Sequence, residues 1–463
     1  MADPTKAATA VVFVTPAPTG VAVSPTIATV QNNGVQQFIA TEDPFGTIPV
    51  VNWSLSGAGC SGASCGTIDS TGKYTAPAIV PNPPTITVSA TSVADSSKSG
   101  SAAVILGSNP NNAKLNGRYA FLLQGYDGDG SAAFAGSFMA DGNGNITAGI
   151  ADFNFSSAIF VATNLTFAGI YSVGSDNRGS MTLTLANAGA ALSGFTQTLS
   201  FALDSFASGV AGRGRLVEID GTDIRGTGVL AKQDPAAFST AAITGGYAFG
   251  FAGTSSTGFP LVVDGRFTAG GGSLTAGQIN IYGLGVVFNG AGTPTAALDL
   301  PFAGTYQVSA NGRGTTVLTF TGQDPGFSNF SLYVISATEL FFIEVDTCPG
   351  GAICTFKGGI SGLALQQSGG PFSANSLNGA AVLHLTRGSV SASDVAVGRE
   401  IFDGSGTLSS TTDTNNNGLI DSNMAFTGTY AVDADGLGCG VVILADDLQS
   451  KPFYLVSPCR RSS

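Results

Sequence analysis

A long motif recurs along this chain and constrains what it can fold into. Asn116-Gly117-Arg118-Tyr119-Ala120-Phe121 returns as Thr244-Gly245-Gly246-Tyr247-Ala248-Phe249. Gly169-Ile170-Tyr171-Ser172-Val173, then Asn177-Arg178-Gly179, returns as Gly304-Thr305-Tyr306-Gln307-Val308, then Asn311-Gly312-Arg313-Gly314. A third copy reads Gly428-Thr429-Tyr430-Ala431-Val432, then Asp435-Gly436-Leu437-Gly438. Tyr171 and Tyr306 lie 135 residues apart, and Tyr306 and Tyr430 lie 124 apart. Solenoid units repeat every ~20–50 residues, so this period marks three copies of a whole domain.

The 463 residues leave room for three or four domains. Only 10% are charged, 65 are Gly and 30 are Phe, the balance of β-sheets joined by short turns. A net charge of −12 without a basic stripe excludes nucleic acid as a partner. No apolar run reaches the ~18 residues of a membrane span. Residues 7–14 are apolar but short and lack a basic flank. Met1 therefore reads as the start of a mature, secreted chain whose signal was removed or replaced.

Six cysteines permit 15 pairings. The simplest is local: Cys60 with Cys65, Cys348 with Cys354, and Cys439 with Cys459, each pair within one domain. Disulfides place the chain in an oxidising, extracellular compartment. Free thiols in a reducing compartment are the alternative. Cys60-Ser-Gly-Ala-Ser-Cys65 has no His nearby and makes a poor metal site.

Residues 1–19 are rich in Pro, Thr and Ala and read as a linker or a free strand. Residues 20–106 alternate apolar and polar in short runs, such as Thr85-Ile86-Thr87-Val88-Ser89-Ala90, and predict a small antiparallel sandwich. A polar linker, 107–114, follows. Residues 115–236 hold about eight consecutive strands joined by hairpin turns such as Asp141-Gly142-Asn143-Gly144. Eight meandering strands close into an up-and-down barrel and so remove their edges. Residues 243–368 supply a second such set. Residues 377–463 supply a third that lacks the last two strands. The fold class is thus all-β: a small sandwich followed by three tandem meander or β-barrel-like modules, the last incomplete.

Val21-Ala22-Val23-Ser24-Pro25, Val51-Asn52-Trp53-Ser54-Leu55, Gly66-Thr67-Ile68-Asp69 with Gly72-Lys73-Tyr74-Thr75-Ala76-Pro77, and the Ile86-Thr87-Val88 strand resemble a bacterial Ig-like domain. The resemblance implies a stalk or adhesive module of a secreted or surface protein, with Trp53 in its core. The three-repeat stretch is similar to uncharacterised β-rich repeat modules found behind Ig-like domains in secreted proteins of soil bacteria. That resemblance implies no activity.

An incomplete barrel exposes two edges. A staple by Cys439–Cys459, a truncation, or a strand from another chain would each account for it. Val11, Val12, Phe13 and Val14, in the β-branched run 9–15, are the candidate donor strand. The same run also reads as the first strand of the sandwich. Head-to-tail donation would build an open filament.

Asp413, Asn415, Asn417 and Asp421 stand at alternating positions with Gly418 sixth, as in a calcium loop. Met424 takes the place of the bidentate Glu, and the flanks read as strands. Asp152-Phe153-Asn154 matches in the first repeat, so these residues read first as an Asx-rich hairpin turn and second as a calcium loop. Ca2+ is the one cofactor this pattern suggests.

Nucleophilic catalysis lacks partners. There is no Gly-x-Ser-x-Gly, and His384 is the only histidine. Carboxylate-pair glycoside hydrolysis could draw on Glu339, Glu344 or Glu400. Arg178 and Arg313 repeat at one position and read as packing over a barrel end or pairing with Asp. The function that follows is a secreted structural or adhesive protein of the cell surface or matrix, self-associating by β-strand addition. The alternative is an extracellular carbohydrate-active protein that binds or hydrolyses glycan, with the Ig-like domain as spacer. A barrel enclosing a small apolar ligand is a third reading.

Overall fold

The computed structural model describes residues 20–43, 50–107, 109–126, 130–155, 160–186, 195–221, 225–254, 260–283, 297–322, 325–346, 359–389, 392–416, 419–436, 438–444 and 454–455. It is all-β and divides into two units, one N-terminal and one holding the three repeats. The candidate donor Val11–Val14 lies outside the described residues.

Among the described residues nine short strands build the N-terminal unit: β1 (Gly20–Ser24), β2 (Ile27–Gln31), β3 (Val35–Gln37), β4 (Ile39–Asp43), β5 (Val51–Ser56), β6 (Thr67–Ile68), β7 (Lys73–Thr75), β8 (Thr85–Ser92) and β9 (Ser99–Gly107). They form sheets β2-β9-β8-β5, β3-β7-β6 and β1-β4. Alternation drives them: β8 buries every second residue, so one face makes the core and the other meets water. β2 pairs with β9 in parallel, which corrects the all-antiparallel sandwich expected over 20–106. The long chain between these two strands makes that crossover possible. Trp53 is a packing residue: it lies over Gly72, whose φ of +83° and 2.4 Å clearance from the Phe38 carbonyl leave no room for a Cβ. Cys60 and Cys65 form a disulfide, and the buried Tyr74 hydroxyl donates to the Cys65 carbonyl at 2.9 Å.

The first barrel closes from β10 (Asn116–Tyr126), β11 (Ser131–Asp141), β12 (Asn145–Phe155), β13 (Phe160–Val173), β14 (Arg178–Leu185), β15 (Thr196–Ala207), β16 (Val210–Glu218) and β17 (Arg225–Lys232). The second closes from β18 (Gly245–Thr254), β19 (Pro260–Gly270), β20 (Ser273–Gly283), β21 (Ala297–Val308), β22 (Arg313–Phe320), β23 (Asn329–Ser336), β24 (Glu339–Glu344) and β25 (Ser361–Gln366). First and last strands pair antiparallel in both, from Tyr119↔Lys232 and from Tyr247↔Gln366. Among the described residues the third module is an open sheet of β26 (Asn378–Ser389), β27 (Ala392–Asp403), β28 (Thr407–Asn416), β29 (Leu419–Val432), β30 (Gly438–Leu444) and β31 (Tyr454–Leu455).

The repeated residues do identifiable work. Tyr171, Tyr306 and Tyr430, on the fourth strand of each module, donate to the carbonyls of Leu115, Ile243 and Leu377 at 2.6, 2.5 and 2.7 Å. Each acceptor lies just before its module's first strand, so the tyrosine ties that strand to the middle of the sheet. Tyr119 and Tyr247, on the first strands, donate to the carbonyls of Ala211 and Ala337 beside the sixth-to-seventh-strand hairpin. The third module carries Ala381 at that register.

The barrel interiors are aromatic, and glycine makes them possible. Phe121 faces Gly136, Phe201 faces Gly179, Phe249 faces Gly265 and Phe302 faces Gly277 across neighbouring strands. A Cβ on those glycines would lie 2.7, 2.4, 2.6 and 2.7 Å from the facing ring. Wide rings and bare backbone thus fill the interior together. The second barrel leaves a void of about 10 Å³ among Phe249, Thr316, Phe330 and neighbours, room for about one water. Among the described residues its interior is a hydrophobic core of buried side chains.

Gly265→Ala should cost about 1–3 kcal/mol, because ring and backbone block the methyl, whereas Gly250→Ala, open to solvent, should stay within about 0.5 kcal/mol. Urea unfolding midpoints compare the two. Burial pushes the Tyr119 and Tyr247 phenols up to about 12. Their stabilisation is therefore full below the unfolded value of about 10 and is lost as pH rises from there to about 12. Unfolding at pH 8 and pH 11 should show that loss, and it should shrink in Tyr119→Phe and Tyr247→Phe.

Candidate interaction surfaces

The two closed barrels share a dry seam. Strands alternate inside and outside, so an outward residue is ordinarily wet. Yet β24, Glu339-Leu-Phe-Phe-Ile-Glu344, is buried throughout. Leu340 and Phe342 point into their own barrel, while Phe341 and Ile343 join an external cluster with Tyr333 and Ile335. The first barrel meets them with small residues, including Ala120, Ala133, Ala135 and Ala231, which let the backbones approach.

Buried polar groups lock the register of this seam. Asp152, on β12, accepts from Arg313 Nε at 2.9 Å and Nη2 at 2.7 Å, and from the Tyr333 hydroxyl at 2.5 Å. The backbone N–H of Asn164, at φ +58°, adds a fourth bond at 2.9 Å. Burial opposes the charge on Arg313, but the hydrogen bond and charge of Asp152 outweigh it and hold the guanidinium above its ordinary range. Burial, then the charge of Asp152, push the Tyr333 phenol well up. Asn154 Nδ2 donates to the Glu344 carbonyl at 2.8 Å and to its Oε2 at 2.6 Å. Arg213 grips Glu339 with two hydrogen bonds, one of 2.7 Å. Ser131 and Thr254 exchange hydrogen bonds, and Gln124 donates to Ser361. A carboxylate fully out of water needs this many donors.

The sequence candidates fall as follows. Arg178 and Arg313 both pair with Asp: Arg178 with Asp176 at 2.7 Å in solvent, Arg313 with Asp152 in the seam. Glu339 and Glu344 are engaged by the seam. Glu400 is on β27, where burial raises its carboxyl. Asp413 and Asn415 are exposed on β28, and Asp421 is on β29 opposite Thr414. Asn417 lies outside the described residues, as do Cys348, Cys354 and Cys459 and the side chains of His384 and Cys439. Among the described residues, no group of three His, Cys, Asp or Glu could hold a metal ion, and no helix is long and apolar enough to cross a membrane. The seam itself was not foreseen. Its signal was the unbroken apolar run 340–343, which breaks the alternation seen elsewhere.

No protein-family model matches the chain, and no curated protein is similar to it in sequence. Among solved structures, the protocadherin gammaB7 EC3-6 cis-dimer structure is similar at 11% identity and a TM-score of 0.17, over 86% of this chain and 99% of that one. A likeness at that level carries no argument about function.

Arg313→Met strands the Asp152 charge in the seam and should destabilise the protein by about 3–5 kcal/mol. Arg178→Met, at the same register but in solvent, should leave the unfolding midpoint unchanged. Denaturant titration of both variants checks the contrast.

Proposed function

We propose that this chain is a secreted structural or adhesive protein of the cell surface or matrix that self-associates by β-strand addition. One observation carries the reading. β26 stands at the edge of the third sheet and, among the described residues, pairs with β27 alone, whereas the equivalent β10 and β18 pair on both sides. Val382 on that edge is 82% exposed. An open edge carrying apolar side chains is a template for another strand. The run 9–15 of a second copy is the proposed donor, and the Ig-like unit serves as a stalk.

Negative-stain electron microscopy of the purified chain should show ordered filaments or lattices, and deletion of residues 1–15 should abolish them. Assembly that survives the deletion overturns strand donation, and uniform single particles overturn self-association. Loss of order with a calcium chelator would place Ca2+ at the joint.

A further inference from the structure

The third module repeats the acceptor half of the internal seam and leaves it exposed. In the first barrel, Asp152 lies opposite Ala135, and Asn154 opposite Ala133. In the third module, Asp413 lies opposite Val397, and Asn415 opposite Val395. The local geometry repeats too: the Asn423 N–H, at φ +56°, donates to Asp413 Oδ1 at 2.7 Å, as the Asn164 N–H does to Asp152. The fold alone does not force this, since the second barrel holds Asn280 at the register, donating to Asp264 on the adjacent strand. Around Asp413 the face is apolar and open: Val397 is 47% exposed and Val382 lies on the same side. Arg399 also stands on it.

The first barrel carries the matching donor half, also exposed. Arg178 occupies the register of Arg313: Arg178 lies opposite Ala202, and Arg313 opposite Tyr333. Glu218 occupies that of Glu344, lying opposite Leu199 as Glu344 lies opposite Phe330. Each Glu Oε1 accepts the N–H two residues on, from Asp220 at 2.8 Å and from Asp346 at 3.1 Å. Val217 and Ile219, at the registers of Ile343 and Val345, are 47% and 55% exposed. Arg215, opposite Ala202, adds a second positive charge.

We infer that the Asp413 face of one copy docks on the Arg178–Ile219 face of a second copy, repeating between chains the seam that joins the two barrels within a chain. Asp413 takes Arg178, Asn415 meets Glu218, and Val382 and Val397 cover Val217 and Ile219. The contact is weaker than the internal seam, because Ala202 replaces Tyr333 and Arg215 replaces Phe341. The two faces differ, so the interface is head-to-tail and builds a closed ring or an open filament according to the rotation between copies. The inference rests on the self-association proposed above but uses a sheet face, not a strand edge.

Analytical ultracentrifugation of the full chain tests it. Asp413→Arg and Arg178→Asp should each weaken association about tenfold or more, and the double variant should recover it to within about threefold. Circular dichroism and unfolding midpoints establish that each variant folds. Arg178→Asp leaves the third module untouched, and Val217→Lys gives an independent second lesion. Association unchanged in Arg178→Asp and Val217→Lys overturns face docking, and if deletion of residues 1–15 then abolishes it, strand donation stands. Association lost in the charge variants, rescued in the double, and indifferent to the deletion supports face docking and removes strand donation. A wild-type chain that stays monomeric at the highest concentration reached overturns both.

Discussion

Closing an eight-stranded meander requires its first and last strands to pair, and this demand governs the molecule. A strand edge left open presents unpaired N–H and C=O groups to whatever strand comes near. The first two modules meet the demand, with β10 on β17 and β18 on β25. The third sheet runs from β26 to β31 and does not close among the described residues. Closure also decides which tyrosines a module keeps. The fourth-strand tyrosine latches the start of the module and occurs in all three, at 171, 306 and 430. The first-strand tyrosine reaches toward the sixth-to-seventh-strand hairpin, and the open module has Ala381 there. The same residue type thus serves two separate constraints.

Packing inside and outside the barrels follows different rules. Inside, rings such as Phe121 and Phe249 lie over glycines, so shape is satisfied by large against absent side chains. Outside, the seam uses alanines against Phe341 and Ile343, with charges held in a fixed register. The apolar contacts supply most of the stabilisation, since each carbon withdrawn from water contributes whatever its orientation. The Asp152–Arg313–Tyr333 node supplies orientation. A buried carboxylate tolerates only the arrangement that satisfies it, so a one-residue slip would leave it unpaired.

Much of this was legible beforehand. Period-two alternation in β8 showed a strand, and the spacing of Tyr171, Tyr306 and Tyr430 showed three modules of one kind. Asp-Gly-Asn-Gly between β11 and β12 showed a hairpin. The pairing of Arg178 and Arg313 with Asp was among the readings open from their shared position. The parallel pairing of β2 with β9 was not legible, because alternation reports which face is buried and not which strand lies alongside. Nor was the seam: Asp152 and Arg313 are 161 residues apart, and nothing local to either marks the other.

The amino-acid sequence by itself determined the all-β class, the repeated modules and the eight strands of the first two, because these depend on local alternation, turn residues and a visible repeat. Only the tertiary structure decided which identical-looking surfaces are buried. Asp152 and Asp413 occupy equivalent registers, as do Arg313 and Arg178, yet one pair is sealed between barrels and the other faces solvent. The physical reason is that burial belongs to the neighbour a surface meets, and a repeated motif is silent about which copy has one.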